Sequence, residues 1–328
     1  MIKYINYKDS VQILQNRGIA GACLWYVIKG SIAKTAVQKQ TGGPPVRNKD
    51  TMNFQYFFIN QLEISQQALD IGFELYSAGH LIWLAVLMVA AFLISNYYKN
   101  LDGHGSIQIL SNAVDSPGNP RIGRQRQRHM RQFFAVALAC SEMIKDAIVY
   151  FTGFWSAEYL PFHLCGLAIF TLLADAFCEN QKLTGQLIAY AFMPGAMSAL
   201  LFCNWTEYPF LNFMNIHSFV FHGGIVFYMV MRYRNGEIRP TYRGLWVTFA
   251  MVAVLVGPLF WFNTRFDTNF LFLNEASEGS PLVPIWNLFG AKYGYPGYLA
   301  GCAALVIVVF HGLYLLYSLL GRRSGKRK

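Results

Sequence analysis

The chain has 328 residues, of which 54% are hydrophobic, 16% aromatic and only 13% charged, and its formal net charge is +10. That charged share is about half of what an ordinary soluble protein carries, and the apolar residues gather in runs near the ~20 needed to cross a bilayer. An ordinary soluble domain is thereby excluded. The basic excess lies in short stretches beside apolar runs, which speaks for anionic lipid heads as the partner and against nucleic acid.

The first 72 residues read as an N-terminal extension and outer segment, and residues 73–328 as the membrane domain. Lys3, Lys8, Arg17, Lys29, Lys34, Lys39, Arg47 and Lys49 crowd into the extension. Its one apolar run, Gly18 to Ile28, is too short to span. Thr41-Gly42-Gly43-Pro44-Pro45 reads as a linker, and no Lys or Arg occurs between Met52 and Tyr98. The expectation is that the native chain starts at Met52.

Seven apolar segments follow in order: His80 to Tyr98, Phe133 to Phe151, Tyr159 to Phe177, Gln186 to Trp205, Phe213 to Tyr233, Leu245 to Asn263 and Tyr298 to Leu320. A segment in hydrocarbon must satisfy its own backbone, so each is expected to be a helix. The expected fold is all-α, a polytopic membrane protein with a bundle of seven transmembrane helices. Basic residues cluster at Arg121 to Arg131, at Arg232 to Arg243 and at Arg322 to Lys328. With seven crossings these stretches fall on one side, the cytoplasm, placing the N-terminus outside and the C-terminus inside. The expected location is the cell membrane.

The informative polar groups lie inside these segments. Tyr159-Leu160-Pro161-Phe162-His163-Leu164-Cys165 opens the third, and His222 sits at similar depth in the fifth. Polar groups in lipid cost free energy and point to function. At ~1.5 Å per residue Cys165 lies roughly 9 Å deep, His222 roughly 13 Å and His217 roughly 6 Å. The second segment runs outward and brings Lys145 and Asp146 near the same level, with Glu142 one turn deeper. Asn215, Ser218 and His222 share a face at i, i+3 and i+7, whereas His217 is turned away by about 500° and is expected nearer the interface. Glu142, Lys145 and Asp146 share a face and partly neutralise one another. His163 and Cys165 are two residues apart, so both reach one site only if the helix begins irregularly, as Pro161 allows.

Six cysteines are present, Cys23, Cys140, Cys165, Cys178, Cys203 and Cys302, with no C-x-x-C pair among them. That is neither a disulfide framework nor a zinc-finger spacing. Cys140, Cys203 and Cys302 read as small packing residues. His163, Cys165, His217 and His222 resemble a four-ligand set for zinc, but each same-helix pair diverges, so no metal and no cofactor is expected. A pair of Cys165 as nucleophile and His222 as base needs no such distortion. Glu142 or Asp146 would orient or charge-balance the imidazole, and Asn215 and Ser218 could support an oxyanion. His163 belongs to the same supporting set.

Four motifs carry a family resemblance: Leu-Pro-Phe-His-Leu-Cys (160–165), Phe-Val-Phe-His-Gly (219–223), Thr-Asn-Phe-Leu-Phe-Leu (268–273) and Gly-Tyr-Pro-Gly-Tyr (294–298). With their order and spacing, the chain from about Phe73 to Leu320 resembles the YwaF-like family of bacterial integral membrane proteins. That family looks related to an animal transmembrane acyltransferase of ether phospholipid synthesis. The resemblance implies that Cys165 carries the acyl group as a thioester with His222 as its partner. A more distant likeness is to membrane hydrolases of fatty acid esters of hydroxy fatty acids, which use Thr and His. The function expected is therefore acyl transfer on membrane phospholipids or lysolipids, with ester hydrolysis at the same site as the alternative. The rival classes are a proton-coupled transporter built on the Glu142, Lys145 and Asp146 cluster, and a purely structural membrane protein.

Overall fold

The computed structural model describes residues 56–59, 63–64, 69–101, 120–153, 155–178, 181–277 and 279–325. The expected start at Met52 and the linker at 41–45 lie outside the described residues. Residues 59–71 group with a unit separate from the one that holds residues 51–58 and 72–328. The second unit carries the helices.

Among the described residues there is no β-strand. The helices are α1 (Ala78–Asn100), α2 (Pro120–Phe151), α3 (Leu164–Phe177), α4 (Lys182–Leu187), α5 (Met193–Leu201), α6 (Phe213–Arg234), α7 (Tyr242–Phe266), α8 (Leu282–Ile285) and α9 (Ala291–Gly325). A π-helical turn, Ile188–Phe192, joins α4 to α5, and a second, Trp286–Gly290, joins α8 to α9. Five stretches are long and apolar enough to cross a membrane: Ala78–Asn100, Ala157–Phe177, Phe213–Arg234, Tyr242–Phe266 and Leu282–Gly321. The other two segments expected to cross are helical as well. One carries Glu142, Lys145 and Asp146; the other is interrupted by the π turn and stops at Leu201, short of Trp205.

Helix α6 is the centre of the bundle, in contact with α1, α2, α3 and α5. Two glycines make that possible. A Cβ at Gly223 would lie 2.7 Å from the Leu87 side chain of α1, and one at Gly224 would press on Leu138 of α2. Small residues at a helix contact let backbones approach where lipid offers no hydrophobic drive. Asn212 caps α6 by accepting from Met214 N–H at 2.8 Å, and Thr241 caps α7 by accepting from Gly244 N–H at 3.0 Å. These side chains satisfy helix-end donors left without intrahelical partners. The outward faces of α1, α2, α7 and α9 expose large apolar side chains such as Met88, Phe133, Val254 and Val308, as helices in lipid do.

Five helices are tied together by buried charge. Asp175 of α3 and Arg232 of α6, 0% and 1% exposed, form an ion pair. Asp175 also accepts from Thr184 of α4 at 2.6 Å and from Tyr228 at 2.7 Å. Arg232 donates further to Gln181 at 2.6 Å and to Glu237 at 2.9 Å. Glu237 in turn accepts from Tyr98 of α1 at 2.5 Å and from Arg131 of α2 at 2.8 Å. Paired and hydrogen-bonded in this way, the charges tolerate burial. The π turn lies against the same region with all five of its residues buried.

Two predictions arise from this network. Asp175→Ala strips Arg232 of its most buried partner and should cost about 3–5 kcal/mol, the usual result of breaking a buried pair. An unchanged thermal midpoint in detergent would show that the pair is dispensable. The second concerns pH. Burial by itself pushes the Glu237 carboxyl up, but the Tyr98 hydroxyl and the Arg131 and Arg232 charges outweigh it and hold it below the ordinary carboxylate range. A carboxyl lower in the folded than in the unfolded chain stabilises above the unfolded value, about 4.3 for Glu, and that contribution fades as pH falls through the folded value. Thermal midpoints taken downward from neutral pH should therefore fall in acid, and Glu237→Gln should flatten that fall.

Candidate functional site

The chain enters α3 through a tight, irregular turn. Phe162 N–H donates to the Leu160 carbonyl at 2.7 Å across Pro161, and His163 stays extended at φ −65°, ψ 153°. The helix therefore begins at Leu164, five residues after the apolar segment does. Gly166 allows this fold-back: a Cβ there would sit 2.9–3.0 Å from the Pro161 backbone. His163 supplies no side-chain cap, and the first ladder bond runs from Leu167 N–H to the His163 carbonyl at 3.0 Å. Among the described hydrogen bonds the N–H groups of Leu164, Cys165 and Gly166 find no acceptor. Cys165 thus lies in the first helical turn rather than about six residues in, and the helix dipole acts on it more strongly than segment length suggested.

The turn before α3 is held from outside by a knotted loop. Asn263 at the end of α7 accepts from Phe270 N–H and Thr268 Oγ1, both at 2.9 Å, and its amide donates to the Phe270 carbonyl at 3.0 Å. Glu158 accepts from Asn269 N–H at 2.8 Å. Tyr298 donates to the Phe272 carbonyl at 2.8 Å, and Tyr295 donates to the Leu273 carbonyl. So anchored, Leu271 and Phe272 adopt left-handed backbone at φ 56° and 55°, a conformation that bulky residues keep only when their surroundings impose it. Phe270, fully buried, packs edge-on to Phe162 and His163 at 5.4 and 4.9 Å. His163 lies 3.6 Å from Glu158. Three of the four motifs singled out in the sequence thus meet at the mouth of α3.

His222 is fixed on two sides. Its Nδ1 is 2.7 Å from the Ser218 carbonyl. A carbonyl only accepts, so Nδ1 carries the hydrogen and Nε2 keeps a lone pair. Trp205 stacks on the ring at 5.2 Å and 14°, and Phe221 meets it edge-on at 5.5 Å. Among the described residues no hydrogen bond engages Nε2. His80 is the useful contrast. It approaches a thiol, with Cys203 at 3.9 Å, but its Nδ1 accepts from Tyr76 N–H at 3.0 Å and its Nε2 donates to the Leu200 carbonyl at 2.8 Å. Both nitrogens are spent, and Cys203 is a packing residue.

Helix α2 lies between α3 and α6 and packs on both. Lys145 pairs with Glu142 and lies 3.0 Å from Asp146. Glu142 lies within electrostatic reach of Cys165 of α3, and its Oε2 is 3.5 Å from His217 Nε2 of α6. Lys145 acts on both His217 and His222, and it stands 5.6 Å above the Tyr159 ring. His163 also lies within electrostatic reach of His222. Cys165, His163, His222 and Glu142 therefore belong to one polar neighbourhood, assembled from three helices.

Other expected contacts are made differently. Neither Glu142 nor Asp146 bonds to His222; the Ser218 carbonyl and Trp205 orient that ring instead. Ser218 takes part through its backbone, and the Asn215 amide donates to the Phe210 carbonyl at 2.8 Å, leaving its Oδ1 buried and unpartnered. No hydrogen bond joins Cys165 to His222 among the described residues. His217, expected near the interface, is buried with 9% of its side chain exposed, because α2 rather than lipid covers that face of α6. Trp205 was missed: it sits in an irregular stretch after α5, where no periodicity marks it. Among the described residues no group of three or more His, Cys, Asp or Glu could hold a metal ion.

No curated protein and no solved structure matches the chain. A family model does match it, over residues 75–314. That stretch runs from just before α1 to within α9 and takes in every residue of the polar neighbourhood, so the chain belongs to the TMEM164 family, a family of transmembrane proteins.

Proposed function

We propose that this protein is a seven-span enzyme of the cell membrane, N-terminus outside and C-terminus in the cytoplasm, that transfers acyl groups between membrane lipids through Cys165. The YwaF-like resemblance supports the reading through its four motifs, and the charge asymmetry of the loops supports the orientation. In the first half-reaction the thiol proton passes to His222 Nε2 as sulfur bonds to the carbonyl carbon of a phospholipid ester. The tetrahedral oxyanion collapses, the C–O bond breaks, and the imidazolium returns its proton to the departing lysolipid oxygen. In the second, a lysolipid hydroxyl gives its proton to His222 and attacks the thioester, releasing the Cys165 thiol and a new ester. Water as second acceptor would make the same site a hydrolase.

The observation that carries the proposal is the contrast between two cysteine–histidine neighbourhoods. At Cys203 the histidine is exhausted by the backbone. Cys165 at the mouth of α3 sits among three N–H groups with no acceptor among the described hydrogen bonds, and the His222 ring of α6 is held with a lone pair to spare. Donors of that kind, arrayed at a helix N-terminus, are suited to a developing oxyanion. A proton-coupled carrier would account for Glu142, Lys145 and Asp146 but gives the thiol no role.

Incubation of purified protein with mixed phospholipids should leave an adduct of fatty-acyl mass on Cys165, removed by hydroxylamine. Cys165→Ala should abolish it, and His222→Gln should slow its formation by about 10²–10⁴-fold, the usual worth of a positioned base, with the thermal midpoint kept. An adduct that persists in Cys165→Ala, or none in the wild type, rules the mechanism out. Lipid transport retained by Cys165→Ala would favour the carrier.

A further inference from the structure

The last apolar stretch is too long for one crossing. Leu282–Gly321 holds 40 residues, about 60 Å of helix at ~1.5 Å per residue, against ~30 Å of hydrocarbon. The chain takes up the excess by folding back. Gly294 stands at φ 67°, ψ −159°, a backbone region open essentially to glycine alone, and Pro296 follows without an N–H to carry a helix through. In a straight helix residues 285 and 301 would be about 24 Å apart. Here a Cβ on Gly301 would lie 2.6 Å from Ile285 and 3.0 Å from Phe289, and one on Gly297 would meet the Phe289 carbonyl at 2.5 Å and Tyr293 at 2.6 Å. The contacts step backwards along one limb as they step forwards along the other. Leu282 to Tyr293 is therefore a separate arm, laid antiparallel on the longer limb of α9, whose glycines admit it.

Tyr298 to Leu320 is by itself long enough to span, so the arm is not needed for crossing. Its side chains are those of a membrane boundary. Trp286, Leu288, Phe289 and Tyr293 are all exposed, Leu288 by 65%, and Lys292 holds its Nζ 4.9 Å above the Tyr293 ring. Aromatic rings with a polar edge collect at headgroup depth. A lysine beside them keeps its stem in the apolar layer and its ammonium among phosphates. Beyond the reversal α9 exposes Val308 and Leu315, so the arm rests on a helix that already faces lipid. The arm is also tied to the loop at the mouth of α3. Trp286 meets the Tyr298 ring at 5.4 Å and 70°, Tyr298 donates to the Phe272 carbonyl at 2.8 Å, and Phe270 of the same loop packs on Phe162 and His163. We propose that residues 282–293 are a lipid-binding arm, seated between the headgroups and acyl chains of one leaflet, which braces the loop of residues 268–274 through Trp286 and Tyr298. Its ligand is a phospholipid, met by the apolar side chains and by Lys292.

The arm requires residence in a membrane and not acyl transfer, so the two readings can fail separately. The test uses the full-length protein in nanodiscs of phosphatidylcholine and phosphatidylglycerol. With p-benzoylphenylalanine in place of Leu288, irradiation should give a peptide adduct of phospholipid mass. The same probe in place of Met88, exposed on α1, serves as the lipid-facing reference. Crosslinking of the arm to a second copy of the chain, or no lipid adduct where the reference gives one, overturns the seat in lipid. The brace is read by hydrogen exchange of the peptide that covers residues 268–274. Trp286→Ala should speed that exchange by about two- to tenfold, the worth of an edge-on aromatic pair, while α6 keeps its rate. An unchanged loop rate overturns the brace. Should Trp286→Ala loosen the whole bundle, Tyr298→Phe decides: it keeps the ring, removes only the hydroxyl on the Phe272 carbonyl, and should speed exchange in the loop alone. No change there would count equally against the brace.

Discussion

The ion pair of Asp175 with Arg232 is the constraint on which the arrangement of the helices rests. Both side chains are withdrawn from solvent, so neither is tolerable without the other, and each recruits further partners from different helices. Thr184 and Gln181 bring in the start of α4, and Glu237, bound to Arg232, brings in Tyr98 at the end of α1 and Arg131 in the first half of α2. Apolar contact between helices in lipid is weakly directional, because lipid tails are as apolar as the side chains. A hydrogen-bonded charge network supplies the register that such contact cannot.

Helix α6 carries two polar layers. Arg232 near its C-terminal end belongs to the network just described, and His217 and His222 nearer its N-terminal end belong to the candidate site. The second layer is built on different terms: His217 Nε2 and Asn215 Oδ1 are unpartnered among the described residues, and the loop packed beside it is left-handed at Leu271 and Phe272. The Asp175–Arg232 layer is the better satisfied of the two, with Arg131 Nε its one unpartnered buried atom among the described residues, and that difference separates a clamp from a place where chemistry can be done.

Much of this was legible in the sequence because hydrocarbon imposes so few options. Apolar runs located the long helices, though not α8, most of α4 or the start of α2, and their periodicity placed Asn215, Ser218 and His222 on one face and Glu142, Lys145 and Asp146 on another. Where the reading failed, it failed for identifiable reasons. The start of α3 was set five residues early, since Tyr159 to His163 is apolar enough to continue a helix yet is bent by Pro161. His217 was assigned to the interface from the phase of α6 alone, without the neighbour that covers it. Asp175, Arg232 and Glu237 went unremarked as a network because the first two partners are 57 residues apart and each looks like an ordinary charge at a helix end. The role of Trp205 depends on a ring stacking that no spacing rule encodes.

Gly223 and Gly224 directly follow His222, and through them α1 and α2 rest against the backbone of α6. If α6 were to rotate about its axis, the bare surface would swing away and the bulk of Ile225 or Phe221 would be driven into the neighbouring helices. The imidazole is thus mounted on the least movable part of the bundle. Any movement that the proposed acyl transfer requires must come from elsewhere, as from the loop of residues 267–274 that holds the turn before Cys165, while the ring keeps its station.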